Sequence, residues 1–125
     1  MAKLISLKTF TDERGNLTVI DNVIPFDIKR IFYIYRVDDS QRGKHRHHTT
    51  IQAAICLRGS CKIFSDNNDT EETFSLDTPD KCLIIYAEDW HFMYDFTPDA
   101  ILMILASTHF DPNDYIYMPY EHHRI

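Results

Sequence analysis

The sequence predicts an all-β sandwich or barrel, and three observations carry that prediction. Short runs rich in β-branched and aromatic residues recur along the chain, as in Arg30-Ile31-Phe32-Tyr33-Ile34-Tyr35-Arg36-Val37, and such residues suit a pleated, half-buried surface. Turn residues punctuate the runs at near-regular intervals: Asp12-Glu13-Arg14-Gly15-Asn16, Arg58-Gly59-Ser60, Asp66-Asn67-Asn68-Asp69-Thr70, Asp77-Thr78-Pro79-Asp80 and Thr97-Pro98-Asp99. Before the C-terminal tail no segment longer than two turns repeats its apolar residues at a helical period. Many short strands between regular turns fold as a sandwich or a barrel.

Residues 4–10 alternate in part and read as the first strand; Gly15 supplies the permissive dihedrals of the turn that returns the chain through 17–20 as a hairpin. Pro25 ends that segment and 26–29 is a short connector. Residues 30–37 are the next strand, and a polar loop, 38–42, leads into Gly43-Lys44-His45-Arg46-His47-His48-Thr49-Thr50-Ile51-Gln52. That stretch runs into an apolar strand, 51–57, which stops at Gly59. Residues 61–65 and 72–76 flank the 66–70 turn as a hairpin. Residues 82–86, 90–96 and 100–107 supply three more strands. The tail, 111–125, carries Tyr115, Tyr117 and Tyr120 and is expected to pack as an irregular or helical end.

At 125 residues the chain suffices for one domain, 1–125, with a single core. Its longest apolar run, 100–106, is far short of the roughly 20 residues a membrane helix needs. The start, Met1-Ala2-Lys3-Leu4, lacks an apolar segment of secretory length. Cys56, Cys61 and Cys82 are odd in number and sit in strand-like runs, so they read as reduced core residues of a cytoplasmic protein. A net charge of −6 without a Lys/Arg stripe argues against nucleic acid. A small anionic ligand remains open, since one or two local arginines can hold a pyrophosphate.

The chemistry concentrates at His45 and His47. Side chains on a strand alternate, so histidines at i and i+2 present two imidazoles on one face. Gln52 and His91 are candidates to converge on them. Such a cluster is either a metal site or acid/base machinery. His48, His109, His122 and His123 read as structural or solvated, and Trp90, Phe92, Phe96 and residues 101–105 as core.

Gly43-x-His45-x-His47, then Gln52 and Gly59, resembles the first motif of the cupin superfamily. His91 and Asp95 stand where the second motif has histidine and asparagine, although Tyr86 and Glu88 replace its usual proline and glycine. The resemblance implies a single jelly-roll β-barrel of the cupin, RmlC-like type. Gln52 replaces the usual glutamate, and a neutral amide gives up the charge attraction a divalent metal needs. Three histidines and a glutamine are thus a weaker metal set, whereas metal-free imidazoles titrate near neutrality and suit proton transfer.

A longer series of blocks follows in order: Asp12-Glu13-Arg14-Gly15-Asn16-Leu17, Pro25-Phe26-x-Ile28-Lys29-Arg30, Arg42-Gly43-x-His45-x-His47, Cys56-Leu57-x-Gly59-Ser60-Cys61, Leu76-Asp77-x-Pro79, Trp90-His91-x-Met93-x-Asp95-Phe96 and Leu105-Ala106-Ser107. Together they resemble the WxcM-like dTDP-4-keto-6-deoxyglucose 3,4-ketoisomerases, over nearly the whole chain to about Tyr115. The resemblance implies isomerisation of a dTDP-linked sugar without metal or cofactor, moving the ketone from C4 to C3 on a route to 3-amino-3,6-dideoxy sugars of glycans. It implies His47 as the carbon base and His45 as its partner near the oxygens, with the two assignments exchangeable at this level. Tyr33, Arg42 and Gln52 would orient the enediolate, and Arg14, Lys29 and Arg30 would meet the pyrophosphate. His91 and Asp95 join the substrate-binding candidates, and the Arg14 and His91 pair resembles the members that form a galacto product. The family is dimeric, which implies a homodimer. Three rivals stand beside this reading: a nucleotide-sugar epimerase, a metal-dependent cupin oxygenase and a sugar-binding cupin without chemistry.

Overall fold

The structure is a computed structural model and describes residues 1–122; positions 123–125, including His123 and the end of the expected tail, lie outside the described residues. The strands are β1 (Lys3–Ser6), β2 (Lys8–Asp12), β3 (Gly15–Val19), β4 (Arg30–Tyr35), β5 (Arg42–His47), β6 (Gln52–Arg58), β7 (Cys61–Asp66), β8 (Glu71–Leu76), β9 (Lys81–Ile85), β10 (Trp90–Tyr94), β11 (Ile101–Ala106) and β12 (Tyr115–Ile116). Among the described residues the one helical element is a 3-10 turn at Pro112–Asp114. All-β organisation is what the alternating patterns predicted.

Two antiparallel five-stranded sheets form the jelly roll, one ordered β1-β9-β6-β11-β4 and the other β12-β5-β10-β7-β8. Between them lies the main core, where Ala54, Cys56, Leu83, Ile85, Leu102 and Ile104 of the first sheet meet Cys61, Ile63, Phe74, Leu76 and Met93 of the second. Burying such a side chain contributes roughly 1.5–3 kcal/mol. The first sheet is also covered on its other face, where Ala53, Ile55, Cys82, Ile84 and Leu105 pack with Leu7, Ile24 and Phe26. Burial on both faces explains why residues 53–56 are apolar without alternation.

Three elements differ from the sequence reading. The expected first strand divides at Leu7, which is buried and whose N–H donates to the Asp80 carbonyl at 2.7 Å. β1 pairs with β9, whereas β2 pairs with β3 alone. The histidine stretch and the apolar strand after it are not continuous either: β5 and β6 belong to opposite sheets, joined across residues 48–51. The tail is neither loose nor helical beyond one turn; β12 adds an edge strand beside β5, with Tyr115 opposite His47 and Ile116 opposite Arg46.

Candidate active site

A bulge in β5 builds the site. His45 pairs with His91, Gly43 with Phe92 and Arg42 with Met93, so Lys44 is the extra residue. Gly43 and Lys44 take the left-handed φ values of +97° and +61° that the bulge requires. A Cβ on Gly43 would lie 3.1 Å from the His91 carbonyl oxygen and 3.2 Å from Phe92 Cα, so glycine lets the two backbones meet there.

Beyond the bulge, alternation resumes and turns both histidines of β5 inward. The ring centroids of His45 and His47 lie 4.9 Å apart, those of His45 and His91 5.0 Å, and those of His47 and His91 6.2 Å. Gln52 begins β6 on the inward face it shares with Ala54 and Cys56, and is 2% exposed. The structure therefore brings His45, His47 and His91 together, with Gln52 on the facing sheet.

Each buried histidine is oriented through Nδ1. In His91 that nitrogen lies 3.0 Å from the Asp89 carbonyl oxygen, which can only accept, so Nδ1 carries the proton. In His47 it lies 3.0 Å from Asp114 Oδ2. Both Nε2 atoms, and Gln52 Oε1, are buried without a hydrogen-bond partner among the described residues. Buried polar atoms are seldom left so; here two lone pairs and an amide oxygen are available to a bound molecule.

Burial also sets the protonation state. Desolvation, then the neighbouring His45, pushes the His47 imidazole down to about 4. The same causes push His91 to about 3, and burial lowers His45 as well. At neutral pH all three are uncharged, hence acceptors or bases rather than cations. Burial raises the Asp114 carboxyl, but hydrogen bonds from Thr50, Thr49 and His47 outweigh it and hold the group at about 2.

The tail completes the wall. Tyr115 sits with its ring centroid 4.8 Å from that of His45 and 4.7 Å from that of His47, and Tyr117 lies 6.2 Å from His45. Sequence reasoning missed Asp114, Thr49, Thr50 and the placement of these tyrosines. The one available signal was the i, i+2 spacing of Tyr115 and Tyr117, which repeats that of the two histidines.

Other expected site residues lie elsewhere in the chain. Tyr33 is on the outward face of β4, 64% exposed and stacked near Tyr35, because Arg30, Phe32 and Ile34 take the inward positions. The single chain thus does not bring it beside the histidines. Asp95 lies apart from the histidines too: it has a left-handed φ at the end of β10, is exposed and pairs with Lys62 at 3.3 Å. Arg14 caps the β2–β3 hairpin, paired with Asp12 at 2.6 Å. Arg42 and Lys29 are exposed, and Lys29 donates its backbone N–H to Ala106. Arg30 does approach: it is half-buried, its Nε has no partner among the described residues, its guanidinium lies 5.4 Å from the Phe32 ring and 5.6 Å from that of Phe110, and its charge acts on His47. His122 takes the structural of its two expected roles, bonded to Asp66 at 2.6 Å.

The cluster fits a divalent metal poorly. Among the described residues, the one set of three His, Cys, Asp or Glu ligand atoms within 4.8 Å of one another is Asp66, Glu71 and His122, on the outer rim. The three imidazoles do not converge their nitrogens in that way, and Gln52 adds no charge.

Known proteins share this arrangement of sequence and fold. The family model described as "FdtA: WxcM-like, C-terminal" matches residues 1–125. The TDP-4-oxo-6-deoxy-alpha-D-glucose-3,4-oxoisomerase of Aneurinibacillus thermoaerophilus is 38% identical over 117 residues, covering 91% of this chain and 84% of that protein. A His→Asn variant of the 3,4-ketoisomerase QdtA from Thermoanaerobacterium thermosaccharolyticum, solved with TDP-4-keto-6-deoxyglucose, superposes with a TM-score of 0.89 at 42% identity, over 94% of this chain and 87% of that one. The 3,5-epimerase RmlC of Legionella pneumophila shares the fold, with a TM-score of 0.81 at 15% identity over 95% of this chain and 73% of its own. A match along the whole of 1–125, joined to a relative of this identity, shows that the chain belongs to the WxcM-like FdtA family.

Proposed function

We propose that this protein is a dTDP-4-keto-6-deoxyglucose 3,4-ketoisomerase that forms the 3-keto-6-deoxygalactose product. The reading rests on one observation above all, a neutral imidazole pair on one strand with a buried, unpartnered Nε2 on His47. His47 removes the C3 proton, which the C4 ketone acidifies, and the bond electrons form an enediolate with its charge on O4. His45 passes the O3 proton to O4. The protonated base then returns a proton to C4 while the C3 carbonyl forms. Proton transfer by positioned groups contributes on the order of 10²–10⁴-fold. Gln52 and Arg30 face the pair from the first sheet and hold the sugar oxygens or the neighbouring phosphate.

The placement of the bases supports the stereochemical preference. His45, His47 and His91 all come from β5 and β10 of one sheet. The facing sheet offers Gln52 and Arg30, neither of which releases a proton near neutrality. In the gluco substrate H3 points to one face of the ring, and delivery of a proton to C4 on that same face sets the galacto configuration. One-faced transfer thus agrees with the likeness of the Arg14 and His91 pair to the galacto-forming members.

The working unit of this reading is a cytoplasmic homodimer on a route to 3-amino-3,6-dideoxy sugars. Its support is the β2–β3 hairpin, which pairs with neither large sheet and exposes Phe10 and Leu17. No described helix is long and apolar enough to cross a membrane.

Chelator-treated protein incubated with dTDP-4-keto-6-deoxyglucose in D₂O, followed by proton NMR, tests the activity. The expected result is a 3-keto product that takes up deuterium from D₂O, and, when the reaction is run in H₂O, the small H4–H5 coupling of a galacto sugar. Absence of both product and exchange overturns the reading; a gluco product overturns the one-faced transfer.

A further inference from the structure

We infer that Asp114, carried to the site by the C-terminal tail, is a positioning residue that holds His47 as the Nδ1–H tautomer and so makes Nε2 the atom that takes the carbon proton. The inference deepens the ketoisomerase reading and rests on it for the identity of the transferred proton.

Asp114 is 8% exposed, yet no arginine or lysine pairs with it among the described residues. Instead, five donors from a single short segment surround it. Oδ1 accepts from the Thr49 backbone N–H at 2.9 Å and the Thr49 hydroxyl at 2.8 Å. Oδ2 accepts from the Thr50 N–H at 3.3 Å, from the Thr50 hydroxyl, and from His47 Nδ1 at 3.0 Å. The Thr50 hydroxyl in turn lies 2.7 Å from that of Thr108. Hydrogen bonds to the charged form keep a carboxyl ionised, and an ionised carboxylate can only accept.

Two consequences follow for His47. With Nδ1 obliged to donate, the lone pair resides on Nε2, the buried nitrogen without a partner. When Nε2 takes a proton, the imidazolium forms 3.0 Å from a fixed negative charge, which stabilises it in a site that otherwise disfavours cations. Among the described residues no carboxylate pairs with His45: its ring meets the rings of His47, His91, Tyr115 and Tyr117. The exchangeable roles of the two histidines are thereby separated, with His47 the carbon base and His45 the partner at the oxygens.

The backbone explains how a residue 67 positions away reaches its partner. Asp111 caps the 3-10 turn through Asn113 N–H, and the turn ends on Asp114. The Asp114 carbonyl accepts the His48 N–H at 2.9 Å, and β12 then pairs along β5. The carboxylate is therefore held from both sides of the turn.

The first test needs no variant. Nitrogen-15 NMR of histidine-labelled wild-type protein at pH 7 is expected to give His47 a protonated Nδ1 and a bare Nε2; the reverse tautomer overturns the inference whether or not the protein is an isomerase. The second is Asp114→Asn, with Asp114→Glu beside it. For Asp114→Asn, kcat for C3 proton exchange in D₂O is expected to fall on the order of 10²-fold or more, with KM within about threefold and Asp114→Glu restoring part of the rate. An Asp114→Asn protein that exchanges C3 within about threefold of wild type overturns the positioning role. Wild-type protein that neither exchanges the C3 proton nor forms the 3-keto product overturns the substrate reading instead, and the tautomer measurement then stands alone.

Discussion

A histidine that must act as a base at neutral pH has to be kept uncharged, and His47 and His91 achieve this by burial. Their imidazoles are held at about 4 and about 3, against the ordinary 6.5. The unfolded chain would protonate both near 6.5, so between that pH and about 4 it binds more protons than the native state. Stability from these two groups is complete above pH 6.5 and falls as the pH drops, by about 1.4 kcal/mol per pH unit for each. Melting temperature should therefore decline steeply from pH 6.5 to 4.5, and His91→Asn should flatten part of that decline. A melting temperature that stays level over the window would show that the imidazoles are solvated. Asp114, depressed to about 2, extends the same sign of effect below pH 4.

At the scale of elements, the site depends on one irregularity in β5 and on a tail that adds an edge strand. The bulge at Gly43 and Lys44 sets which face His45 and His47 occupy, because a one-residue change of register moves every side chain to the other face. Gly43→Ala should cost about 1–3 kcal/mol for its left-handed backbone alone, and the new Cβ would meet the β10 backbone at 3.1 Å. Chemical denaturation checks the stability; turnover under folding conditions should fall further, because His45 is displaced. A variant as stable and as active as wild type would dissociate the bulge from the site. The tail is fixed beyond β12 by Trp90 Nε1, which donates to the Tyr117 carbonyl at 3.1 Å, by the Tyr120 hydroxyl on the Glu88 carbonyl at 2.7 Å, and by Arg46 over the Tyr120 ring at 4.4 Å. These contacts hold Tyr115 and Asp114 where the histidines need them.

At the scale of the molecule, the hairpin is the part a single chain leaves unsupported. Two-stranded hairpins are marginal in water by themselves, and β2–β3 exposes Phe10 at 52% and Leu17 at 61%. The outward face of β4 adds Ile31, Tyr33 and Tyr35, all exposed. Exposed apolar side chains of this kind suit an interaction site, and the proposed homodimer would cover them with a second copy. Sedimentation should place the wild type at twice 14.8 kDa and a Phe10→Ser, Leu17→Ser double variant at or near 14.8 kDa. Wild-type protein that sediments as a monomer would sink the dimer.

Much of this protein is legible in its sequence because its determinants are local. Alternation and turn residues mark the described strands from β1 to β11 in some form, β1 and β2 as a single run, since period-two patterning and turn chemistry act over a few neighbours. The spacing of His45 and His47 places two imidazoles on one face for the same reason. What tertiary structure alone decided involves residues far apart or faces that alternation leaves ambiguous. Tyr33 fell outward because β4 is an edge strand whose inward positions went to Arg30, Phe32 and Ile34. Asp95 turned to Lys62 because its left-handed φ ends the strand. Asp114 could not be found from spacing, because a 3-10 turn at the far end of the chain delivers it to His47 across the fold. The pairing of the two imidazoles was written locally; the carboxylate beside one of them was set by a contact that exists only once the chain has closed.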